Sequence, residues 1–148
     1  MKKALLYVLS LILLLIFNNH VLALCVKVSE ANLRKGPGTK YKITWQVYKY
    51  MPFKKIAKKG NWYKVQDVDG DIHWIYGKLV TNDFDCAVIK VNEANVRSGP
   101  GTKFKRTFLS PAYKYESFKV IKREGSWVKV TDEFGFTGWI FRKLLWIY

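Results

Sequence analysis

Histidine is scarce in this chain. There are two, His20 and His73, and the C-terminal half has none. A hydroxyl or thiol nucleophile needs a base beside it, and this inventory offers little choice of one. His73 falls in an alternating run beside Trp74, where an exposed strand position is expected. Cysteine is as sparse. Cys25 and Cys86 have no histidine pair near them in sequence and do not show zinc-site spacing, so no metal and no cofactor is expected. Asp67-Val68-Asp69-Gly70-Asp71 starts like a calcium loop. It then places Ile72 where the sixth-position glycine belongs and Lys78 where the twelfth-position glutamate belongs, so an acidic hairpin tip is expected. Acidic residues number 11 against 26 basic ones. Glu30 and Glu93 occupy equivalent places in a repeated stretch, and a glycosidase carboxylate pair duplicated in two such small units is not expected. These shortages point away from an enzyme.

Long apolar runs are also lacking, with one exception at residues 4–17, behind Lys2 and Lys3. That run is too short for a comfortable membrane span. Asn18, Asn19 and His20 end it, and Val21-Leu22-Ala23 supplies small residues at the −3 and −1 positions of a signal peptidase site. Residues 1–23 are therefore predicted to be a cleaved signal peptide. The mature chain would be exported, periplasmic or secreted, with no transmembrane helix. The alternatives are a retained anchor and a lipid on Cys25, although Leu24 stands where a lipoprotein signal wants a small residue.

What the chain does have, it has twice. Residues 30–42 read EANLRKGPGTKYK and residues 93–105 read EANVRSGPGTKFK, identical at 10 of 13 positions. A self-match of this quality marks two copies of one unit. Pro37-Gly38 fits the central positions of a type II turn. Neither copy ends in Gly-Lys-Ser/Thr, so a phosphate-binding loop is set aside. Beyond residue 24 there is no sustained helical periodicity. Short runs rich in β-branched and aromatic residues alternate with turn signals instead. They predict strands at 26–28, 31–34, 43–48, 53–57, 62–66 and 72–76. In the second copy they predict strands at 89–91, 94–97, 107–109, 118–122, 127–131 and 138–141. Asp69-Gly70 is a hairpin signal. So many short strands in so few residues predict an all-β chain of two small barrels. The expected boundaries are 24–81 and 86–148, with a linker at 82–85 short enough to make the barrels touch.

Three blocks then become specific. The second copy carries Asn95-Val96-Arg97-Ser98-Gly99-Pro100-Gly101, Gly125-Ser126-Trp127-Val128-Lys129-Val130 and Gly138-Trp139-Ile140-Phe141-Arg142-Lys143-Leu144-Leu145. The first carries Gly60-Asn61-Trp62-Tyr63-Lys64-Val65 and His73-Trp74-Ile75-Tyr76-Gly77-Lys78-Leu79-Val80. In this order the blocks resemble bacterial SH3 (SH3b) domains over nearly the whole mature chain, most of all the exported tandem SH3b proteins of Gram-negative type. The departure is His73, where the pattern has glycine. The resemblance implies a non-catalytic binding module of the cell envelope, with peptidoglycan or another anionic or peptide-bearing wall component as its ligand. The alternative is an adaptor that docks another envelope protein. A monomer is expected, and no nucleic-acid partner, because an exported protein rarely meets one.

Alternation sorts the aromatics. In Trp127-Val128-Lys129-Val130-Thr131 the valines share one face and Trp127 shares the other with Lys129. Valines turned inward put Trp127 at the surface, together with its counterpart Trp62. The resemblance to SH3 domains in general, whose first strand tryptophan lines the ligand groove, points the same way. Tyr41, Trp62 and Tyr76 are the expected ligand face of the first copy, and Phe104, Trp127 and Phe141 that of the second. Trp74 and Trp139 are expected to be packing residues. Cys25 and Cys86 sit at different places in the repeat, so they are not duplicated core residues. Cys25 opens the first barrel and Cys86 follows its last strand. Export permits oxidation and a closed barrel brings its ends together, so a Cys25–Cys86 disulfide is predicted.

Overall fold

The computed structural model describes residues 22–148. The predicted signal peptide lies outside these residues except for Leu22 and Ala23. The first unit runs β1 (Ala23–Val26), β2 (Glu30–Arg34), β3 (Ile43–Tyr48), β4 (Pro52–Lys59), β5 (Trp62–Gln66) and β6 (Ile72–Tyr76). A 3-10 turn (Gly77–Leu79) and β7 (Val80–Thr81) close it. The second unit runs β8 (Cys86–Ile89), β9 (Glu93–Ala94), β10 (Ala112–Tyr113), β11 (Ser117–Glu124), β12 (Trp127–Thr131) and β13 (Thr137–Phe141). A second 3-10 turn (Arg142–Leu144) and β14 (Leu145–Ile147) follow. The chain is all-β, and no described helix is long and apolar enough to cross a membrane.

In the first unit the strand order is β3-β2-β6-β5-β4-β1-β7. The sheet curls around Leu24, Val26, Leu33, Val47, Phe53, Val65 and Ile75. In the second, β13-β12-β11-β8-β14 wraps around Ile89, Val96, Phe118, Val128, Val130, Ile140 and Leu145, and β9 and β10 pair beside it. The hairpins β4–β5 and β11–β12 turn at Gly60 and Gly125, at φ 56° and 55°. Only glycine accepts that conformation without cost.

Several sequence expectations need correction. The first strand of each unit starts earlier than predicted, at Ala23 and at Cys86. Residues 107–109 form no strand, and only Ala112–Tyr113 pairs with Glu93–Ala94. The copies keep an offset of 63 up to Lys42 and Lys105, but Trp62 and Trp127 are 65 apart. The two extra residues fall before Ala112, next to Pro111, which has no N–H to give to a ladder. Gly38 and Gly101 are not in the left-handed region, so Pro-Gly does not form a type II turn. Instead the Gly38 N–H donates to the Gly36 carbonyl at 3.0 Å, a γ-turn around Pro37. The Tyr41 N–H then donates to the Gly38 carbonyl at 3.2 Å. His73 is buried, not exposed (8% accessible).

The two units lock together through β8. All four of its residues are buried. Alternation sends Ala87 and Ile89 into the second core, while Val88 and its neighbour Trp146 on β14 pack on the first. Cys86 shares the outer face with Val88 and is bonded to Cys25 on β1, with Cα atoms 6.0 Å apart. The predicted disulfide is present and ties the opening strand of one barrel to that of the other.

Candidate binding grooves

Each barrel carries a groove, and the two grooves are built from equivalent residues. In the first, Asn32, Arg34, Gly38, Thr39, Trp62, Tyr76 and Leu79, with Glu30 and Ala31, line a space of about 500 Å³. In the second, Asn95, Arg97, Gly101, Thr102, Trp127, Phe141 and Leu144 line about 440 Å³. The floor follows from strand register. Trp62 opens β5 directly opposite Tyr76, which ends β6, so their rings share a face. The ring centroids are 5.5 Å apart at an interplanar angle of 48°. Trp127 and Phe141 repeat the pair at 5.6 Å and 54°. Val65, Val128 and Val130 point into the cores, as alternation requires, and both tryptophans remain half-buried.

The wall is the Gly-Pro-Gly loop, and an arginine holds it. Arg34 Nη1 donates to the carbonyls of Thr39 at 3.0 Å and Tyr41 at 2.8 Å. Arg97 Nη1 does the same to Thr102 at 3.0 Å and Phe104 at 2.9 Å. These bonds use one terminal nitrogen of a guanidinium that carries five N–H donors. The same side chain can therefore shape the loop and meet an acceptor in the groove.

Of the sequence-predicted residues, the structure gathers Trp62 with Tyr76, and Trp127 with Phe141. Tyr41 and Phe104 do not join them. Their rings lie back over the glycines of their own loops. A Cβ on Gly36 would stand 2.5 Å from the Tyr41 ring, and one on Gly99 would clash with Phe104 in the same way. So the first loop glycine is required by a ring packed on the backbone. Sequence reasoning passed over Asn32, Arg34, Thr39 and Leu79 and their counterparts, although all four are repeated unchanged.

A second polar arrangement was also missed. Thr44 Oγ1 lies 2.8 Å from His73 Nδ1, and His73 Nε2 lies 3.0 Å from Asp67 Oδ2. The other Asp67 oxygen accepts the N–H groups of Asp69 at 3.0 Å and Asp71 at 2.8 Å. In the second barrel Asp132 makes the matching bonds to Phe134 at 3.0 Å and Phe136 at 2.8 Å, while Gly138 stands in place of the histidine. Asp67 is thus first a hairpin staple, and His73 is a buried imidazole that joins the staple to β3.

Next to it the barrels meet. Asp69 accepts from the Tyr115 hydroxyl at 2.6 Å and from Lys114 Nζ at 3.0 Å. These two donors, the tyrosine first, hold the Asp69 carboxyl below its ordinary pKa of 3.8. The Lys114 ammonium is held above 10.5, by Tyr115 and then by Asp69. Trp45 packs edge-on against Tyr115, with centroids 5.1 Å apart.

Comparison with known proteins agrees with this architecture. Residues 27–81 and residues 92–145 each match a family described as bacterial SH3 domain. Over 125 residues the chain is 26% identical to YrvJ of Bacillus subtilis (strain 168), provisionally named an N-acetylmuramoyl-L-alanine amidase. That match covers 78% of this chain and 24% of the relative, so the chain spans about a quarter of its length. Among solved structures, an NlpC/P60 family protein from Bacillus cereus ATCC 10987 is similar at 15% identity and a TM-score of 0.39, over 85% of this chain and 56% of that one. The endolysin LysPBC5 CBD is similar at 19% identity and a TM-score of 0.35, over 84% and 92%. Likeness at that level says nothing about function. The family matches, the repeated blocks and the two small barrels agree: this chain is a tandem pair of bacterial SH3 domains and belongs to that family.

Proposed function

We propose that the chain is an exported, non-catalytic binding module of the cell envelope, periplasmic or secreted, that holds peptidoglycan in its two aromatic grooves and acts as a monomer. The observation that carries this reading is the duplication itself. Seven lining positions recur in each barrel, six of them with the same residue. The fold alone does not call for a tryptophan kept half in solvent beside a second ring.

The chemistry suits a peptide-bearing glycan. Ring faces offer an apolar platform, Asn32 offers an amide, and the spare donors of Arg34 suit a carboxylate. Peptide stems carry such groups. The exported part, without Lys2 and Lys3, has 24 basic against 11 acidic residues, a net charge of +13 that favours an anionic polymer. The Bacillus relative is named for chemistry on the muramoyl peptide of the wall, and this chain matches about a quarter of it. The grooves are not equal. Tyr76 gives the first a hydroxyl that Phe141 cannot give the second, and Glu30 joins only the first.

The test is co-sedimentation with purified peptidoglycan sacculi at low and at moderate salt. Retention at both is expected, with no soluble fragments released. Retention at low salt alone would mean bare charge attraction, since exposed charges are screened over about 8 Å at physiological ionic strength. No retention at either would favour an adaptor that docks another envelope protein.

A further inference from the structure

Three phenylalanines stand in solvent on the second barrel. Phe108 is 72% exposed, Phe134 77% and Phe136 48%. Phe134 and Phe136 flank the tip between β12 and β13. Phe108, on the loop before β10, meets Phe136 edge-on with centroids 4.6 Å apart. Trp127 and Phe141 sit at the opposite end of that hairpin. One strand length, roughly 13 Å, separates the two features.

The first barrel is an internal control for what the fold needs here. Its hairpin tip has the same frame. Asp67 and Asp132 each accept two N–H groups, and Gly70 and Gly135 share a left-handed φ of 92° and 89°. At the positions of Phe134 and Phe136 it carries Asp69 and Asp71. Phenylalanine is thus not required by the core or by the turn. In the first barrel this face is used, since Asp69 and Trp45 dock on Tyr115 of the second. On the second barrel the equivalent face carries phenylalanines that stand in solvent.

The side chains say what would cover it. Phe134 borders a cleft of about 460 Å³ that Trp45 and Tyr115 also line, but at 77% exposed most of its ring projects beyond that rim, as Phe108 does at 72%, and a projecting ring is the wrong shape to receive a protruding anchor from a folded partner. The phenylalanines carry no hydroxyl or indole N–H, so they offer a hydrated glycan no hydrogen bond. An acyl layer accepts such rings with no polar group left unpaired. Without Lys2 and Lys3, 24 basic residues stand against 11 acidic ones in residues 22–148, an excess that draws the chain to anionic headgroups, and exposed Lys105 and Arg106 lie just before Phe108. Glu133 is the exposed acidic residue at the tip.

We propose that this face docks on an anionic phospholipid bilayer, with Phe108, Phe134 and Phe136 entering the headgroup–acyl boundary while the grooves stay free. Such a chain would bind the wall and a membrane surface at once.

The test uses residues 22–148, which hold the core residues of both barrels described above, so that the apolar run at 4–17 does not contribute. Sedimentation is measured with vesicles of phosphatidylglycerol and phosphatidylethanolamine, and separately with phosphatidylcholine alone. Binding to the anionic vesicles is expected. The variant F108S/F134S/F136S should bind them roughly tenfold more weakly or worse, because it loses three partitioning rings. Its retention on sacculi and its unfolding midpoint should stay as in the wild type. The proposal is overturned if the wild type ignores anionic vesicles, or if the variant binds them equally, which would leave charge alone as the cause. It is also overturned if the face instead mediates self-association, seen in sedimentation velocity as a dimer that the triple substitution abolishes without any vesicle binding.

Discussion

Tyr41 and Phe104 show how one ring can dictate a neighbour's identity. Each lies flat on the first glycine of its loop, and the arginine beneath binds the carbonyl of that same aromatic residue. Loop, ring and guanidinium form one rigid wall. Gly36→Ala should therefore push the ring away and destabilise the protein by about 1–3 kcal/mol, the usual cost of overpacking. Gly38→Ala should be nearly neutral, since its added methyl would make ordinary contact at 3.5 Å and its φ is not left-handed. Urea unfolding of the two variants checks this contrast. Equal effects would mean that the ring does not hold the loop. In the sequence the glycines were legible as turn residues but not as ring seats, because that contact depends on where Tyr41 folds back. His73 misled for a similar reason. Its alternation beside Trp74 was real, but Thr44 and Asp67 reach it only through strand pairing. The half-buried state of Trp62 and Trp127 was readable, because an inward valine fixes the face of its neighbours.

At the scale of the element, the β5–β6 hairpin tip does more than turn the chain. Its staple aspartate frees Asp69 to reach across to Lys114 and Tyr115. An Asp69 pKa held below 3.8 means that the folded form favours the carboxylate, so Asp69 stabilises the seam above pH 3.8 and loses this effect as pH falls through its lowered value. Lys114, held above 10.5, contributes below that pH and loses its part as pH rises further. Between these limits the clamp is whole. Asp69→Asn should be less stable than the wild type at neutral pH, and the difference should shrink as pH falls below 3.8 and through the lowered pKa. Both groups are partly exposed, so the effect will be small and should shrink with salt. Thermal unfolding followed from pH 7 downward reads it, and a difference that does not shrink as pH falls below 3.8 would contradict the carboxylate's role. The hairpin was legible from Asp69-Gly70, but its partner was not. Lys114 and Tyr115 lie 45 and 46 residues away, and only the docking of the barrels brings them near.

For the whole molecule, the seam makes two marginal units one. Barrels of this size bury little core alone. Here β8 serves both, and the disulfide spans 61 residues between β1 and β8. The continuous apolar run Cys86-Ala87-Val88-Ile89 fits a strand buried on both faces, but the sequence reading started this strand only at residue 89. The disulfide itself was legible because the cysteines break the repeat. In the chain-entropy model, closing a loop of that length stabilises by roughly 4 kcal/mol, so Cys25→Ala/Cys86→Ala should lose about that much in denaturant unfolding. A loss near zero would mean that the seam holds without it. The central claim concerns the grooves, and sacculus binding by Trp62→Ala, Trp127→Ala and the double variant tests it most directly. Ring anchors dominate binding energy, so each loss should cost its groove about 2 kcal/mol or more. Two grooves on one rigid body bind an extended polymer together, so each single variant should be retained partly and the double variant hardly at all. A double variant that is folded by near-ultraviolet circular dichroism and still sediments with sacculi like the wild type at moderate salt would contradict the account.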